Sequence, residues 1–177
     1  MKTGTFKIDT TQSKIDWIGR KVTGAHNGTI AIAAGALLLR DGKLTGGQFT
    51  IDTTSIKILD VTDPATNAQF AGHLASDDFF STEKFQKATL DITSVVAQTD
   101  TRYHIRGNLT IKGITHPAHF DATVTTQGDT VNAAAKLVVD RTLYDMKFRS
   151  GNFFKDLGDN LIYNDFDLNI RLIATAA

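Results

Sequence analysis

The residues with the clearest chemical potential lie close together in the first half of the chain. His73, Ser76 and Asp77 supply an imidazole, a hydroxyl and a carboxylate, the three groups that cooperate in acyl transfer. Nucleophilic catalysis also needs an oriented base and an oxyanion site, and the sequence contains no Gly-x-Ser-x-Gly elbow. We therefore assign no catalytic residue. An isomerase or hydrolase acting on an apolar substrate is kept as an alternative.

Two histidines are candidates for contacting a polar ligand group. His73 follows Phe70 by three residues on a predicted helix, so it could hydrogen-bond the polar group of a ligand. A histidine satisfied by Ser76 or Asp77 is the structural alternative. His26 stands beside Asn27-Gly28, a strong hairpin signal. It either contacts a ligand at a rim or caps backbone groups of that turn.

The other histidines do not form a predicted metal site. His116 and His119 are three residues apart on a predicted strand, so their side chains point to opposite faces. His104 belongs to the polar face of its strand. The chain has no cysteine, and no histidine and carboxylate spacing is typical of zinc. We predict no metal and no cofactor.

A charged cluster stands in the second half of the chain. Asp140-Arg141 is followed closely by Tyr144-Asp145. We expect Arg141 to pair with a nearby carboxylate and to hold a long connection in place. A gate or an ion-pair latch is the alternative.

The amino-acid composition limits the functions in which these groups could take part. The chain has 177 residues, 41% of them hydrophobic, and its 19 basic and 19 acidic side chains give a net charge of zero. We expect a single folded domain over residues 1–177. Zero charge gives no attraction to nucleic acid, and no apolar run is long enough to span a bilayer. Without a signal peptide the chain is expected to be cytoplasmic as written, or periplasmic if a leader was removed.

The elements that must position these residues are mostly strands. Apolar and polar residues alternate with the period of two that indicates β-structure. One helix is predicted over Pro64–Ala75, with Asp63 as its N-cap. Turns are expected at Asn27-Gly28, Asp41-Gly42, Lys112-Gly113 and Gln127–Asp129, and a bulge at Gly46-Gly47. The predicted strands are Ser13–Thr23, Thr29–Arg40, Lys43–Asp52, Lys87–Ala97, Tyr103–Lys112, Thr115–Thr126, Thr130–Val139 and Leu161–Ile173.

Eight strands with one apolar face each cannot be covered by a single short helix. The sheet must therefore close on itself or form a sandwich. Because most neighbouring strands are joined by tight turns, we predict an all-β, eight-stranded antiparallel up-and-down barrel with one short helix in a connection.

The predicted inner face mixes bulky and small side chains. Gly19, Ala88, Gly107, Ala133 and Ala135 alternate with large residues. They either leave an elongated apolar cavity or relieve crowding in a tapering barrel. Aromatic pairs in the two long connections, Phe79-Phe80 and Phe153-Phe154, either pack over the barrel end or line its mouth.

Several motifs occur in an order that resembles the YceI-like family over nearly the whole chain. Trp17-x-Gly19 precedes Thr23–Ile30, and Gly47-x-Phe49-x-Ile51-Asp52 precedes Ser55-Ile56. His73-Leu74-Ala75-Ser76-x-Asp78-Phe79-Phe80 and Gly107–Thr115 follow. Asp140-Arg141-x-x-Tyr144-Asp145 and Gly158-Asp159 complete the series.

The resemblance implies a lipocalin-like barrel that carries a long isoprenoid, either a polyprenyl lipid or an isoprenoid quinone, without catalysis. Carriage of fatty-acid derivatives is the alternative within the family, whose members are often periplasmic and dimeric, so a homodimer is also implied. Ala75 stands where the family commonly has lysine. The residues expected to line the cavity or orient a ligand are Trp17, His26, Phe49, Phe70, His73, Leu74, Phe79, Phe80, Leu109, Ile111, Phe120 and Phe166.

Overall fold

Antiparallel pairing of successive strands produces a closed barrel. The computed structural model describes residues 3–151, 153, 155, 157–158 and 161–177. Each strand from β2 to β9 pairs with the next, and β9 pairs back with β2. The predicted eight-stranded antiparallel barrel is therefore confirmed. The strands are β1 (Gly4–Ile8), β2 (Lys14–Lys21), β3 (Gly24–Arg40), β4 (Lys43–Ile58), β5 (Lys87–Ala97), β6 (Arg102–Ile111), β7 (Ile114–Gln127), β8 (Thr130–Asp140) and β9 (Ile162–Ala176).

The short strand β1 was not predicted. It pairs with the C-terminal parts of β3 and β9, whereas β2 pairs with the other parts of the same two strands. Together, β1 and β2 occupy a single strand position in the barrel wall, where they lie end to end. Asp9 organises the turn between them, because its carboxylate accepts hydrogen bonds from the Thr11 hydroxyl and from Gln12. These bonds lower the pKa of Asp9 to about 2.

Local turn signals were correct at three hairpins. Asp41 and Gly42 have φ of +51° and +77°, and Lys112 and Gly113 have +54° and +73°. Both pairs have the left-handed backbone that two-residue hairpins need. The β7–β8 turn lies at Gly128-Asp129. The expected bulge is also present. The register between β3 and β4 shifts at Leu38 and Leu39, opposite the part of β4 that begins at Leu44.

The hairpin predicted at Asn27-Gly28 is wrong. Lys21 pairs with Gly24, so the chain turns at Val22-Thr23 and β3 begins earlier than expected. Gly28 lies within β3, directly opposite Trp17. A Cβ atom there would lie 1.7 Å from the Lys57 carbonyl oxygen. The glycine is needed for close approach of a neighbouring strand rather than for a turn.

The one α-helix within the described residues, α1, has the predicted bounds, Pro64–Ala75. The Asp63 side chain accepts a hydrogen bond of 2.9 Å from the Thr66 backbone N–H, which confirms the N-cap. Asn67 ties the helix to the end of β4 by donating to the carbonyls of Ile58 and Val61. No residue of α1 is fully buried, so the helix covers an end of the barrel without filling it. No helix within the described residues is long and apolar enough to cross a membrane.

The opposite end of the barrel is filled. Fully buried side chains from β1, β3, β6 and the ends of β8 and β9 pack there, among them Phe6, Leu37, Tyr103, Val131 and Ala174. The Tyr103 hydroxyl accepts a hydrogen bond of 3.4 Å from the Leu44 N–H. The barrel therefore has one packed end and one end covered only by α1 and the long connections.

Candidate functional site

A cavity of about 640 Å³ occupies the half of the barrel beneath α1. Strands β2, β3, β4, β5, β6 and β9 form its wall. Its cover comes from α1, the segment after α1 and the connection that follows the 3-10 helix Arg141–Tyr144. The apolar side chains that line it include Trp17, Ile30, Ile56, Phe70, Leu74, Phe79, Phe80, Ile111, Met146, Phe148, Ile162 and Phe166.

The side chains expected from the sequence to surround a ligand separate into two groups. All except Phe49 and Phe120 line this large cavity. Phe49 and Phe120 line a second, smaller cavity of about 70 Å³ deeper in the barrel. Their positions agree with the predicted inner face. Whether these residues contact a ligand stays a prediction.

The two cavities meet at four residues. Ile15, Ile51, Leu109 and Leu168 line both of them. These side chains come from β2, β4, β6 and β9, so they surround the barrel axis rather than forming one side of it. We call this ring the waist. It divides the interior into an upper chamber beneath α1 and a lower chamber towards the packed end.

The inward side chains show that the interior is not filled. Ile51, Phe166 and Leu168 point into the barrel, yet they are only half-buried. Residues on the inner face of a packed barrel would be fully enclosed by their neighbours. Small inward residues such as Gly19 and Ala88 also line the upper chamber. Of the two interpretations of the small residues, the cavity is the one observed.

His26 connects the barrel wall to the helix. Its Nδ1 lies 2.8 Å from Asp60 Oδ2, and its ring packs edge-on against Phe70 of α1, with centroids 4.8 Å apart. Burial alone would raise the pKa of Asp60, but hydrogen bonds from the Asn27 N–H and from His26 outweigh it and lower the pKa. His26 caps no turn backbone, because the expected turn is absent. It lines the upper chamber.

His73 lies at the mouth of the upper chamber within an aromatic cluster. Its ring packs edge-on against Phe79 and Phe148, at centroid distances of 5.0 and 4.6 Å. Its Nε2 lies 3.0 Å from Asp78 Oδ2. Neither of the partners considered from the sequence, Ser76 and Asp77, pairs with the ring.

Ser76 and Asp77 are engaged elsewhere. The Ser76 hydroxyl donates to the His73 carbonyl oxygen at 2.6 Å. Asp77 accepts a hydrogen bond from Ser81 and forms an ion pair with Lys84. The three groups that suggested acyl transfer are therefore not arranged as a nucleophile, a base and an orienting carboxylate.

His116 and His119 occupy opposite faces of β7, as expected. His116 packs edge-on against Tyr144, whereas His119 lies beside His104 on the outer face. His104 pairs with Asp121 at 2.8 Å. Among the described residues, no three histidine or carboxylate side chains come together as metal ligands.

Arg141 holds the late connection, but not through a carboxylate. Its guanidinium is buried and donates to the carbonyl oxygens of Met146, Tyr163 and Ile162 at 2.6 to 3.1 Å. Among the described residues the expected pairing with a nearby carboxylate does not form, and Asp140 instead caps the 3-10 helix by accepting a hydrogen bond from the Thr142 N–H. Burial lowers the pKa of Arg141, and the nearby Asp140 charge opposes that shift.

Lys112 is a second buried cation that sequence reasoning missed. Its Nζ donates to the carbonyl oxygens of Asp77 and Asp145, both at 2.9 Å. It thereby joins the segment after α1 to the connection after the 3-10 helix. The only sequence signal was its place in a turn, which did not reveal that its side chain points inward.

Part of the chamber wall comes from the late connection and was also missed. Met146, Phe148 and Arg149 line the upper chamber, but they belong to no periodic segment. Of the aromatic pair considered there, Phe153 is 51% exposed and packs against Lys147, with Nζ 4.9 Å from the ring centre. Phe154 and Asp159 lie outside the described residues.

The wall is irregular where β2 meets β9. Gly19 pairs with Phe166 and Lys21 with Ile162, so a single residue of β2, Arg20, faces a longer stretch of β9. The Arg20 guanidinium donates a hydrogen bond of 2.9 Å to Asp167, which lies beside this stretch. That hydrogen bond is the main cause of the lowered pKa of Asp167.

Comparison with known proteins identifies a family and relatives of similar sequence. The model of the YceI-like domain matches residues 6–174. Protein YceI from Escherichia coli O157:H7 is 38% identical over 80 residues, which cover 45% of this chain. The matched region spans 38% of the length of that relative.

Solved structures share the architecture. BcnA from Burkholderia cenocepacia superposes with a TM-score of 0.76 at 21% identity, covering 95% of this chain and 99% of that one. A polyisoprenoid binding domain from Saccharophagus degradans superposes with a TM-score of 0.72 at 14% identity, covering 99% and 100%. At these identities the likeness concerns the fold.

Proposed function

Because this chain belongs to the YceI-like family, we propose that its upper chamber binds a long apolar lipid of the isoprenoid type, a polyprenyl lipid or an isoprenoid quinone. The observation that carries the proposal is the cavity itself. Its volume of about 640 Å³ falls within the roughly 300–1,000 Å³ typical of ligand pockets. The solved domain from Saccharophagus degradans that shares the fold is described as polyisoprenoid binding, which supports this ligand class.

The lining favours a ligand that is mostly hydrocarbon. Most of the side chains that line the upper chamber are aliphatic or aromatic, and the polar ones include the buried Thr53 and Arg141. Each methylene buried there contributes about 0.8 kcal/mol before ordering costs. A long hydrocarbon chain can thus be held firmly without any ion pair.

The mouth offers groups suited to a small polar head. His26 and His73 line it, and each has one ring nitrogen next to a carboxylate. Neither ring is enclosed on all sides, so a hydroxyl or a quinone oxygen could reach the remaining nitrogen. In this proposal both histidines orient the head of the lipid.

The proposed role is carriage without chemistry. The groups considered for an isomerase or hydrolase are dispersed among structural hydrogen bonds, as described for Ser76 and Asp77. The bound lipid is then the only ligand required, and no cofactor takes part.

Native mass spectrometry of the purified protein, before and after incubation with bacterial membrane extract, tests this proposal. We expect a bound mass that matches an isoprenoid, displaced by added polyprenol more readily than by a fatty acid of similar length. Preferential retention of the fatty acid would favour the alternative cargo. If no apolar molecule co-purifies or exchanges, the proposal fails.

A further inference from the structure

We propose that the waist sets the length of hydrocarbon that the protein accepts. This inference rests on the proposed function, because it concerns the same cavity and the same class of ligand. It assigns Ile15, Ile51, Leu109 and Leu168 as the residues that determine chain-length specificity, and the lower chamber as space that an ordinary ligand does not reach.

The geometry points to a stop at a definite depth. From Lys21 at the rim to Ile15 at the waist, β2 covers about 20 Å at roughly 3.3 Å per residue. A strand tilt of about 40° reduces this to about 15 Å along the barrel axis. A chain that enters head-last therefore has about 15 Å of lined space before its end meets the waist.

The space below the waist is small. The lower chamber measures about 70 Å³, and its lining is entirely apolar. It exists because Ala122, Ala133 and Ala135 take inward positions where larger residues would fill the barrel. From Leu168 to Leu172 it extends by about 13 Å along β9, or about 10 Å along the axis. Chain ends could occupy this length if the waist were wider.

The waist residues differ in how firmly they are held. Ile15 and Leu109 are 3% exposed, whereas Ile51 and Leu168 are half-buried and face the void. Truncating Leu168 or Ile51 therefore widens the waist with the least loss of packing. The matched control is Leu137→Ala, because Leu137 lines the lower chamber and forms no part of the waist.

The test uses a homologous series of saturated 1-alkanols titrated into lipid-free protein by calorimetry. Affinity should rise about fourfold per methylene while the chain is being buried, and then stop rising at the length that reaches the waist. In Leu168→Ala and Ile51→Ala the rise should continue over several further methylenes. Leu137→Ala should keep the wild-type break.

The outcomes separate this inference from the proposed function. If wild-type protein binds no member of the series and no polyprenol, the proposed function itself fails. If the alkanols bind but the break stays at the same length in both Leu168→Ala and Ile51→Ala, the waist does not set the length. A break that moves equally in Leu137→Ala would also overturn the inference, since general loosening of the barrel would then explain it. Circular dichroism establishes beforehand that each variant is folded.

Discussion

The indole of Trp17 lies across the backbone of Gly28. A Cβ atom on Gly28 would come within 2.6 Å of the Trp17 ring, and the indole Nε1 donates a hydrogen bond of 3.2 Å to the Lys57 carbonyl oxygen. Three strands, β2, β3 and β4, thus meet at a single glycine. Trp17 also lines the upper chamber, so the same contact shapes the site.

Replacing Gly28 by alanine should destabilise the fold strongly. The added methyl group would overlap a backbone carbonyl, which cannot move away as a flexible side chain can. We expect the free energy of unfolding to fall by about 3 kcal/mol, measured by urea denaturation. Gly72→Ala is the control: it meets no atom within 4 Å, and alanine in a helix should raise stability by about 1 kcal/mol. Equal effects of the two substitutions would contradict this explanation.

A larger side chain that fills the upper chamber should remove the space available to a ligand without unfolding the protein. A Cβ atom at Gly19 has only the edge of Trp17 nearby, at 3.9 Å, and Gly19 faces the chamber. We expect Gly19→Leu to weaken polyprenol binding at least about tenfold, since several ligand methylenes lose their space. Binding is measured by titration calorimetry.

Gly46→Leu is the matched control for that substitution. Gly46 is also a strand glycine, its nearest neighbour is Leu38 at 3.5 Å, and it lines neither cavity. Unchanged polyprenol affinity in Gly19→Leu, with Gly46→Leu also unchanged, would mean that the lipid binds elsewhere.

Removing the Arg141 guanidinium should loosen the cover of the upper chamber. In Arg141→Met the carbonyls of Met146, Ile162 and Tyr163 lose their donor in a buried position. We expect a loss of about 3 kcal/mol in unfolding free energy, together with faster amide hydrogen exchange in the late connection. Arg106→Met, on an exposed strand position, should change stability by less than about 0.5 kcal/mol. Slow exchange retained in Arg141→Met would argue against the anchoring role.

Acid should weaken the junction of β1 and β2 through Asp9. Its pKa in the folded protein is about 2, below the ordinary value of 3.8. The contribution of this carboxylate to stability is therefore complete above pH 4 and is lost as the pH falls from about 4 towards 2. Thermal midpoints measured across this range should fall less steeply in Asp9→Asn than in wild type. Asp91→Asn, on the exposed face of β5, should keep the wild-type slope; parallel slopes in all three proteins would refute the assignment.

Features coded by neighbouring residues were predictable. The helix bounds and the Asp63 cap follow from signals within one helical turn, and β5 has the bounds Lys87–Ala97 that alternation alone indicated. Closure of the barrel followed from the number of strands and the scarcity of helix. Cavity-lining residues on the strands, such as Trp17, Leu109 and Phe166, could then be placed because inward positions on a barrel are fixed by alternation.

Features that depend on distant main-chain atoms were not predictable. Arg141 looked like half of an ion pair because carboxylates stand next to it in the sequence, yet its partners are carbonyl oxygens brought in by folding. Phe148 lies in a connection without periodicity, so nothing indicated that it faces His73. At Gly28 a strong local signal predicted a turn, but the residue lies within a strand. The glycine is needed there for close packing against Trp17.

The two buried cations at the mouth have a consequence for how this protein can change over evolution. Arg141 and Lys112 fasten the covering segments by their carbonyl oxygens, and every amino acid carries that group. These hydrogen bonds therefore do not themselves depend on which side chains the partner residues carry. Other residues at the rim can change in evolution without removing these main-chain contacts.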